Sequence, residues 1–206
     1  MGRRFVIVAA VATLTGCSGI GGGGGFGGGY SLVRPAQIVK VGSGAMTVVA
    51  PHEWNRADRT IFTDVRWVED WTLNGPYLDS ISFVAGLPDN HRLLREDYKA
   101  DRQVPRFRSN MTAPEVVGMI ESLYRVAGGA SDFRTLALVP RTFLGTPGFQ
   151  LDYEHLDGDE LWRKGRAVGA VVDGRLYLIM LDAARSHYYG QALPDYEAIV
   201  ASAAKR

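Results

Sequence analysis

The segment from Asp173 to Leu181 constrains the fold more than any other part of the chain. Asp173-Gly174 favours a type I′ turn, because both central residues of that turn need positive φ and this pair tolerates it. The residues that follow, 176–181, are apolar at odd and even positions alike. A strand without alternation is typically covered on both faces. The sequence therefore predicts a strand with a packed layer on each side.

Further strands are predicted on both sides of this segment in the chain. Between 149 and 153, apolar and polar residues alternate, which is typical of a strand with one buried face. Asp157-Gly158 is a turn signal that leads into a strand running through Trp162 to Val172. Earlier strand-like stretches are found at 46–50, in part of 61–71, and at 78–84.

Two helices complete the predicted architecture. Thr112 and Glu115 form a capping box, after which apolar residues recur at helical spacing until Gly128-Gly129 ends the helix. A closing helix is expected from about Pro194, with residues 196, 199, 200 and 203 on one face. An antiparallel sheet with helices on both faces satisfies all of these signals, so the predicted fold class is α+β.

The first 16 residues differ from the rest of the chain. Arg3 and Arg4 precede an apolar run at 5–14, and Gly16 stands just before Cys17, the single cysteine. A charged start, a short apolar stretch and a small residue at the cut site are typical of a secretory signal peptide. The run is shorter than the ~20 apolar residues that a spanning helix needs. We predict a signal peptide at 1–16, with plain secretion and an uncut leader as alternatives.

Leu14-Thr15-Gly16-Cys17 resembles the lipobox of bacterial lipoproteins. The resemblance implies cleavage between Gly16 and Cys17 and three acyl chains, palmitate among them, on Cys17. Three chains hold a protein on a membrane far more firmly than a single chain does. The predicted location is the bacterial cell envelope. Ser18, where an aspartate would retain the protein at the inner membrane, favours the outer membrane facing the periplasm.

Residues 17–29 are predicted to be a flexible, glycine-rich linker behind the lipidated cysteine. The G-x-G-x-x-G match in this tract is not a dinucleotide fingerprint, because no strand signal precedes it and no helix signal follows it. A glycine-rich chain of this length reaches ~20 Å on average. Residues 30–206 show no repeat and no second linker, and we predict that they form a single domain close to the membrane.

The charge balance argues against a nucleic-acid partner. The full chain carries 23 Lys+Arg and 22 Asp+Glu. Loss of Arg3 and Arg4 with the signal peptide leaves a small acidic excess, whereas nucleic-acid binding requires a clear basic surplus. A mixed run of charges between 92 and 108 is typical of a solvated helix or loop, and contact with anionic lipid headgroups is the alternative.

Sequence motifs predict no catalytic, cofactor-binding or metal-ligating residue. The chain has no G-x-S-x-G, no H-E-x-x-H and no phosphate-loop motif, and its four histidines are never paired at ligand spacing. His155 lies in a predicted strand and is interpreted as facing solvent or as having its hydrogen bonds satisfied within the protein. Folding could bring His52 and Glu53, or Asp182 and His187, to one metal, but their spacing does not require it.

Two groups of aromatic residues are candidate contacts for a partner. Trp67 and Trp71 are interpreted as core residues, with a groove for a peptide, glycan or lipid as the alternative. Tyr188 and Tyr189 precede Gly190 and are expected in a loop with exposed aromatic area, which makes this loop the preferred candidate contact.

The last two-thirds of the chain resemble the PsbP family, extrinsic lumenal subunits of the oxygen-evolving photosystem. The similarity is a diffuse pattern of apolar positions at 148–153, at 166–178 and at 196–202. It implies an α/β/α sandwich that serves as an interaction module. It implies no catalytic or ligand-binding residue, and it does not extend to residues 30–108.

Two hypotheses about function follow. The leading one is a membrane-anchored cell-envelope lipoprotein that acts as a non-enzymatic binding or assembly module for an envelope protein, without a cofactor. The alternative is an envelope hydrolase that acts on glycans or lipids through a site assembled only in three dimensions. A cleft lined by Asp152, His155 and Asp182 together would favour the enzyme.

Overall fold

The structure, a computed structural model, describes residues 29–58, 65–95 and 104–206. The predicted signal peptide, Cys17, Ser18 and the linker as far as residue 28 lie outside the described residues. The first part of the strand-like stretch at 61–71 lies outside them as well. The predictions for these segments rest on the sequence alone.

Strands in the described ranges form two antiparallel sheets. In chain order the elements are β1 Tyr30–Val33, β2 Ile38–Val41, β3 Met46–Val49, β4 Trp54–Ala57, β5 Val68–Thr72, β6 Asp79–Leu87, α1 Ala113–Ala127, β7 Asp132–Phe143, β8 Thr146–Leu156, β9 Trp162–Val172, β10 Arg175–Ala184, α2 Tyr188–Ser202 and β11 Ala204–Lys205. The large sheet has the order β1-β4-β5-β6-β10-β9-β8-β7, and the small sheet has the order β11-β3-β2.

Strand β10 lies in the interior of the large sheet and is covered on both faces, as predicted. Leu176, Leu178 and Met180 belong to the core cluster that includes the buried face of α1. Tyr177, Ile179 and Leu181 belong to a second cluster, which includes α2 and residues of the small sheet. The apolar run at both parities therefore reflects two cores on opposite sides of one strand, and the α/β/α arrangement is confirmed.

The turn before β10 and the capping of α1 also agree with the sequence. Asp173 and Gly174 have φ values of 48° and 71°, which a type I′ turn requires. At the start of α1, the backbone N–H and the hydroxyl of Thr112 each donate to Glu115 Oε2 over 2.7 Å. These hydrogen bonds, the backbone one first, lower the pKa of Glu115. Gly128 caps the other end of the helix.

Helix α2 begins at Tyr188, so the prediction that it starts near Pro194 is wrong. Proline inside a helix removes one N–H and leaves the carbonyl four residues earlier without its usual partner. That carbonyl belongs to Gly190, and both Gly190 and Pro194 are exposed, so water can hydrogen-bond to it. Tyr189 and Ala192 are buried in the core, and their packing stabilises the turns before the proline. Neither helix in the described ranges is long and apolar enough to cross a membrane.

Candidate functional site

His155 on β8, Arg163 on β9 and Asp182 on β10 form an ion-pair cluster beneath α1, here called the inner cluster. His155 Nε2 lies 2.9 Å from Asp182 Oδ1, and Arg163 Nε donates to Asp182 Oδ2 over 2.6 Å. Each of the three residues is at most 5% exposed. His155 lies in this layer because β8 alternates, so it shares a face with Tyr153 and Leu151.

Two tyrosines enclose the inner cluster on the side of α1. The hydroxyls of Tyr124 and Tyr153 are hydrogen-bonded over 2.6 Å, and the ring of Tyr124 lies 4.5 Å from that of His155, centroid to centroid. The ring of Tyr153 lies against Gly165, where a Cβ atom would overlap it. The packing is therefore tight on the tyrosine side of the cluster.

Burial and charge together set the ionisation of the inner cluster. Burial alone would raise the pKa of Asp182, but the charge of Arg163 and the hydrogen bond from His155 outweigh it and lower that pKa. Burial likewise opposes the charge of Arg163, and Asp182 more than compensates, so its pKa is raised. Burial raises the pKa of Tyr124 and Tyr153 well above 10. At neutral pH the cluster is an ionised pair beside neutral phenols.

A histidine–carboxylate pair can serve general acid–base catalysis only where it comes within hydrogen-bond reach of a substrate. Beside the inner cluster, α1 and β6 enclose a cavity of about 20 Å³, which is room for about one water molecule. Asp70, Ser82 and Tyr124 are among its walls, whereas His155 and Asp182 are not. In this arrangement the cluster cross-links three strands, and the adjoining cavity does not open onto it.

Asp152 lies on the other face of the sheet and belongs to a second charged group, here called the outer cluster. Arg166 Nε donates to Asp152 Oδ1 over 2.6 Å, and Arg166 Nη1 donates to Glu197 Oε1 over 2.8 Å. Arg141 Nη2 donates to Glu197 Oε2 over 2.7 Å. These contacts attach α2 to strands β7, β8 and β9. Asp152 therefore does not share a cleft with His155 and Asp182.

The outer cluster is partly solvated. Its side chains are between 17% and 33% exposed. Burial acts to raise the pKa of Glu197, but hydrogen bonds and charge from Arg141 and Arg166 outweigh it and lower that pKa. The geometry is that of a helix-to-sheet attachment.

The histidine pairs suggested by the sequence have other partners. His52 Nδ1 lies 2.8 Å from Asp195 Oδ1, and Trp54 Nε1 donates to the other oxygen of Asp195 over 3.2 Å. Asp182 pairs with His155 rather than with His187. Within the ranges that the structure describes, no three His, Cys, Asp or Glu side chains converge as metal ligands would.

Only part of the predicted aromatic contact surface is accessible. Tyr188, Tyr189 and Gly190 form the first turn of α2, so the prediction of an exposed loop there is wrong. Tyr189 and Trp71 are buried in the core around α2. Trp71 Nε1 donates to Glu69 Oε1 over 2.7 Å. Trp67 and Tyr188 are half-buried and keep part of their surface.

Strand β7, at the edge of the large sheet, is not among the strands predicted from the sequence. It pairs with β8 on one side and ends the large sheet on the other. Leu136 and Val139 on this strand are 48% and 44% exposed. A register shift beside Leu136 marks a bulge, and Pro140 lacks an N–H, two features that discourage uncontrolled pairing of an edge. The signal in the sequence was the apolar run at 136–139 before that proline.

No family model and no curated protein matches the chain. Among solved structures, it is similar to the solution structure of cyanobacterial PsbP (CyanoP) from Synechocystis sp. PCC 6803. That match has a TM-score of 0.54 and 16% identity and covers 91% of this chain and 100% of the other. A second match is the crystal structure of LpqN, involved in cell envelope biogenesis of Mycobacterium tuberculosis. Its TM-score is 0.34 at 10% identity, over 88% of this chain and 86% of that one, which is too weak to bear on the fold.

The likeness to CyanoP extends the sequence resemblance. Because it covers 91% of this chain, it includes much of the first half, which the diffuse sequence pattern left out. The described elements form a mostly antiparallel sheet with a helix on each face, and the TM-score of 0.54 indicates the same overall fold as that structure. The chain therefore has a PsbP-like fold.

Proposed function

We propose that this chain is a lipid-anchored protein of the bacterial cell envelope whose domain binds a partner protein along the edge strand β7. The domain acts as a binding or assembly module and not as an enzyme. The anchor is the acylated Cys17, and Ser18 directs the protein to the outer membrane on its periplasmic side. The lipobox supports the anchor, and the shape and exposure of β7 support the mode of binding.

The observation that carries the proposal is the accessible edge of β7. The strand is 12 residues long. An extended segment of a partner can add to such an edge through main-chain hydrogen bonds, with exposed side chains supplying specificity. Leu136 and Val139 are the apolar contacts that the added strand would cover. The bulge and Pro140 limit the pairing to part of the strand, which favours a specific partner over self-association.

The mutual pairing of the charged side chains favours a binding function over a catalytic one. The ionisable side chains of the inner cluster are engaged with one another under α1, and those of the outer cluster attach α2. An envelope hydrolase is the second candidate, because His155 and Asp182 form a pair of the kind that acid–base catalysis uses. For that function, α1 would have to move away so that a substrate could reach the pair.

The anchor is tested by acyl labelling and membrane fractionation of the full chain in its own host. The wild-type protein is expected to incorporate labelled palmitate and to remain in the outer-membrane fraction. Cys17→Ala should lose both properties, and Ser18→Asp should keep the label but move to the inner membrane. An unlabelled wild-type protein, or a Cys17→Ala protein that still labels and pellets with membranes, would contradict the lipid anchor.

Binding along β7 is tested with a photo-crosslinking amino acid in place of Val139 in the membrane-anchored protein. We expect a discrete adduct with one envelope protein, which disappears when Leu136→Glu is added. The same amino acid at Tyr77, which is exposed in the loop between β5 and β6, is the matched control and should give no such adduct. An identical adduct pattern from both positions would rule out β7 as the binding edge.

An activity measurement distinguishes the hydrolase alternative from the binding module. Purified full-length protein is incubated with envelope glycan and with phospholipid esters, next to a His155→Gln variant whose folding is checked by circular dichroism. Turnover that is lost in this variant would favour the enzyme. Equal, background hydrolysis by both proteins is expected for a binding module.

A further inference from the structure

An open groove lies between the last residues of β7 and the end of α2, and is here called the end groove. Residues 141–145, from β7 and the turn that follows it, line one side, and residues 200, 201 and 203–205 line the other. Its volume is about 470 Å³. Pockets that hold small ligands typically measure roughly 300–1,000 Å³. The end groove is therefore large enough for a ligand group, unlike the cavity beneath α1.

The interior of the end groove is apolar and is lined by small side chains. Phe143 and Val200 are buried and belong to the core around α2. The other residues from the end of α2 and from β11 include Ala201, Ala203 and Ala204, which contribute only methyl groups. Space is left between β7 and α2 because these side chains are short.

Leu144 is an unusual residue for its position in the turn after β7. Leu144 and Gly145 have φ values of 51° and 75°, and a two-residue turn of this kind favours asparagine, aspartate or glycine at both positions. The side chain of Leu144 packs against the core around α2 and lines the end groove. The turn thus places an apolar side chain at the groove, although other residues would fit the backbone better.

Two cations, Arg141 and Lys205, are part of the lining of the end groove. Arg141 Nη2 donates to Glu197 Oε2 over 2.7 Å, so its charge is balanced within the protein. Lys205 Nζ is hydrogen-bonded to Asp173, and the two side chains are 36% and 74% exposed. Exposed ion pairs contribute little to stability, so Lys205 can exchange Asp173 for another carboxylate. The groove is complementary to an apolar group with a carboxylate beside it.

The end groove is continuous with the exposed surface of β7. Phe143 packs on the α2 side of the sheet, and alternation places Arg141 and Val139 on the same face of the strand. Val139 is 44% exposed, and four residues of strand, ~13 Å, separate it from Phe143. An extended segment paired along β7 therefore passes Val139 and reaches the groove.

We propose that the segment that adds to β7 places an apolar side chain in the end groove and a neighbouring carboxylate on Lys205. This inference rests on the binding function proposed above and specifies the partner as an extended, apolar and acidic segment of an envelope protein. The two ends of β7 then differ, because Asp132 and Arg134 pair with each other at its start, 2.5 Å apart. Main-chain hydrogen bonds alone leave register open, and the groove fixes it.

The proposal is tested on the membrane-anchored full chain in its own host, with a photo-crosslinking amino acid at Val139 or at Ala201. Ala201 is exposed and lines the end groove. Both positions are expected to give an adduct with the same protein. Mass spectrometry should map both adducts to one stretch of that protein, with an aspartate or glutamate within a few residues of the site joined to position 201. Ala198, exposed on the same helix outside the groove, is the control position and should give no such adduct.

Variants of the end groove provide a second measurement, the yield of the Val139 adduct. Ala201→Trp fills the groove and should reduce the yield about tenfold, as expected when one buried apolar side chain of the partner loses its site. Ala198→Trp, the matched control, should leave the yield unchanged. Lys205→Gln should lower it about two- to fivefold, and Lys205→Arg should restore it because the charge is kept. The lysine variants do not depend on how well the tryptophan variant folds.

The outcomes separate the groove from the binding edge. A Val139 adduct that is unchanged by both Ala201→Trp and Lys205→Gln would overturn the role of the groove and leave binding along β7 intact. A basic segment, a lipid, a different protein or a second copy of this chain joined to position 201 would overturn it as well. The absence of any Val139 adduct in the otherwise wild-type protein would instead refute binding along β7, and the groove with it.

Discussion

The inner and outer clusters have similar chemistry and different surroundings. Each pairs arginine with carboxylate across neighbouring strands, Arg163 with Asp182 and Arg166 with Asp152. The inner pair is almost fully buried, whereas the outer pair keeps about a fifth of its side-chain surface in water. Water can solvate a partner left alone in the outer cluster, but it cannot readily do so in the inner one. The two faces of the sheet should therefore tolerate the loss of a charge very differently.

The largest difference is expected from matched arginine replacements. Arg163→Met leaves Asp182 buried with only His155 as a partner, which should reduce the free energy of unfolding by about 3–5 kcal/mol. Arg166→Met exposes its partners to water and should cost about 1 kcal/mol or less. Urea denaturation of both variants measures the two values. Equal losses would mean that burial does not separate the two clusters.

A smaller loss is expected from filling the space beside the inner cluster. Gly165→Ala forces the ring of Tyr153 to move and should cost about 1–3 kcal/mol. Gly118 is exposed on α1 with open space where a Cβ would stand, so Gly118→Ala should stabilise the protein by about 0.5–1 kcal/mol. The sign of the change in free energy of unfolding separates the two positions. Stabilisation by Gly165→Ala would show that the inner cluster and Tyr153 are not tightly packed.

The inner cluster and its two tyrosines should make the free energy of unfolding fall at both ends of the pH scale. The lowered pKa of Asp182 contributes stability above pH ~4 that is lost as the pH falls through its folded value. The raised pKa values of Tyr124 and Tyr153 contribute stability below pH ~10 that is lost as the pH rises above it. Denaturation curves from pH 2 to 11, with tyrosinate absorbance at 295 nm, test both limbs. Tyrosinate formation by these residues before unfolding would contradict their burial.

The smallest effect concerns the helix that covers the inner cluster. Thr112→Ala removes one half of the capping box of α1 and should cost about 0.5–1 kcal/mol. Tyr188→Ala in the first turn of α2, on the opposite face, removes partly exposed surface and no cap. Hydrogen exchange at the amides of α1 should rise in the first variant and stay unchanged in the second. A rise in both would indicate that the faces are coupled.

Local signals predicted those elements whose ends are set by neighbouring residues. The capping box and Gly128 bound α1, and Asp173-Gly174 sets the turn before β10, because each acts over a few residues. Helix α2 was misjudged because Pro194 favours a helix start locally, whereas the burial of Tyr189 in a distant core decides where the helix begins. Tertiary packing overrode a correct local preference.

The candidate sites depended on the order of strands, which no local pattern contains. His155 and Asp182 meet because β8, β9 and β10 are neighbours in sequence and in space, so a run of hairpins could have suggested their pairing. That Asp152 lies on the opposite face from His155 follows from strand alternation. That β7 is an edge does not follow from alternation, because either end of the β7–β10 series, β7 or β10, could pair with a strand of the first half. The pairing with β6 settles this order.

The order of strands also has a consequence for how the chain folds. Strands β1, β4, β5 and β6 form one antiparallel series and β7 to β10 another, and among the described strands the two series pair only where β6 meets β10. Each series consists largely of local contacts. The pairing of β6 with β10 instead joins Leu87 to Leu176, and the small sheet joins Thr47 to Ala204. Closing such long loops is entropically costly and slow. A chain exported as proposed here therefore completes its large sheet only after β10 has crossed the membrane, because β10 joins the two series.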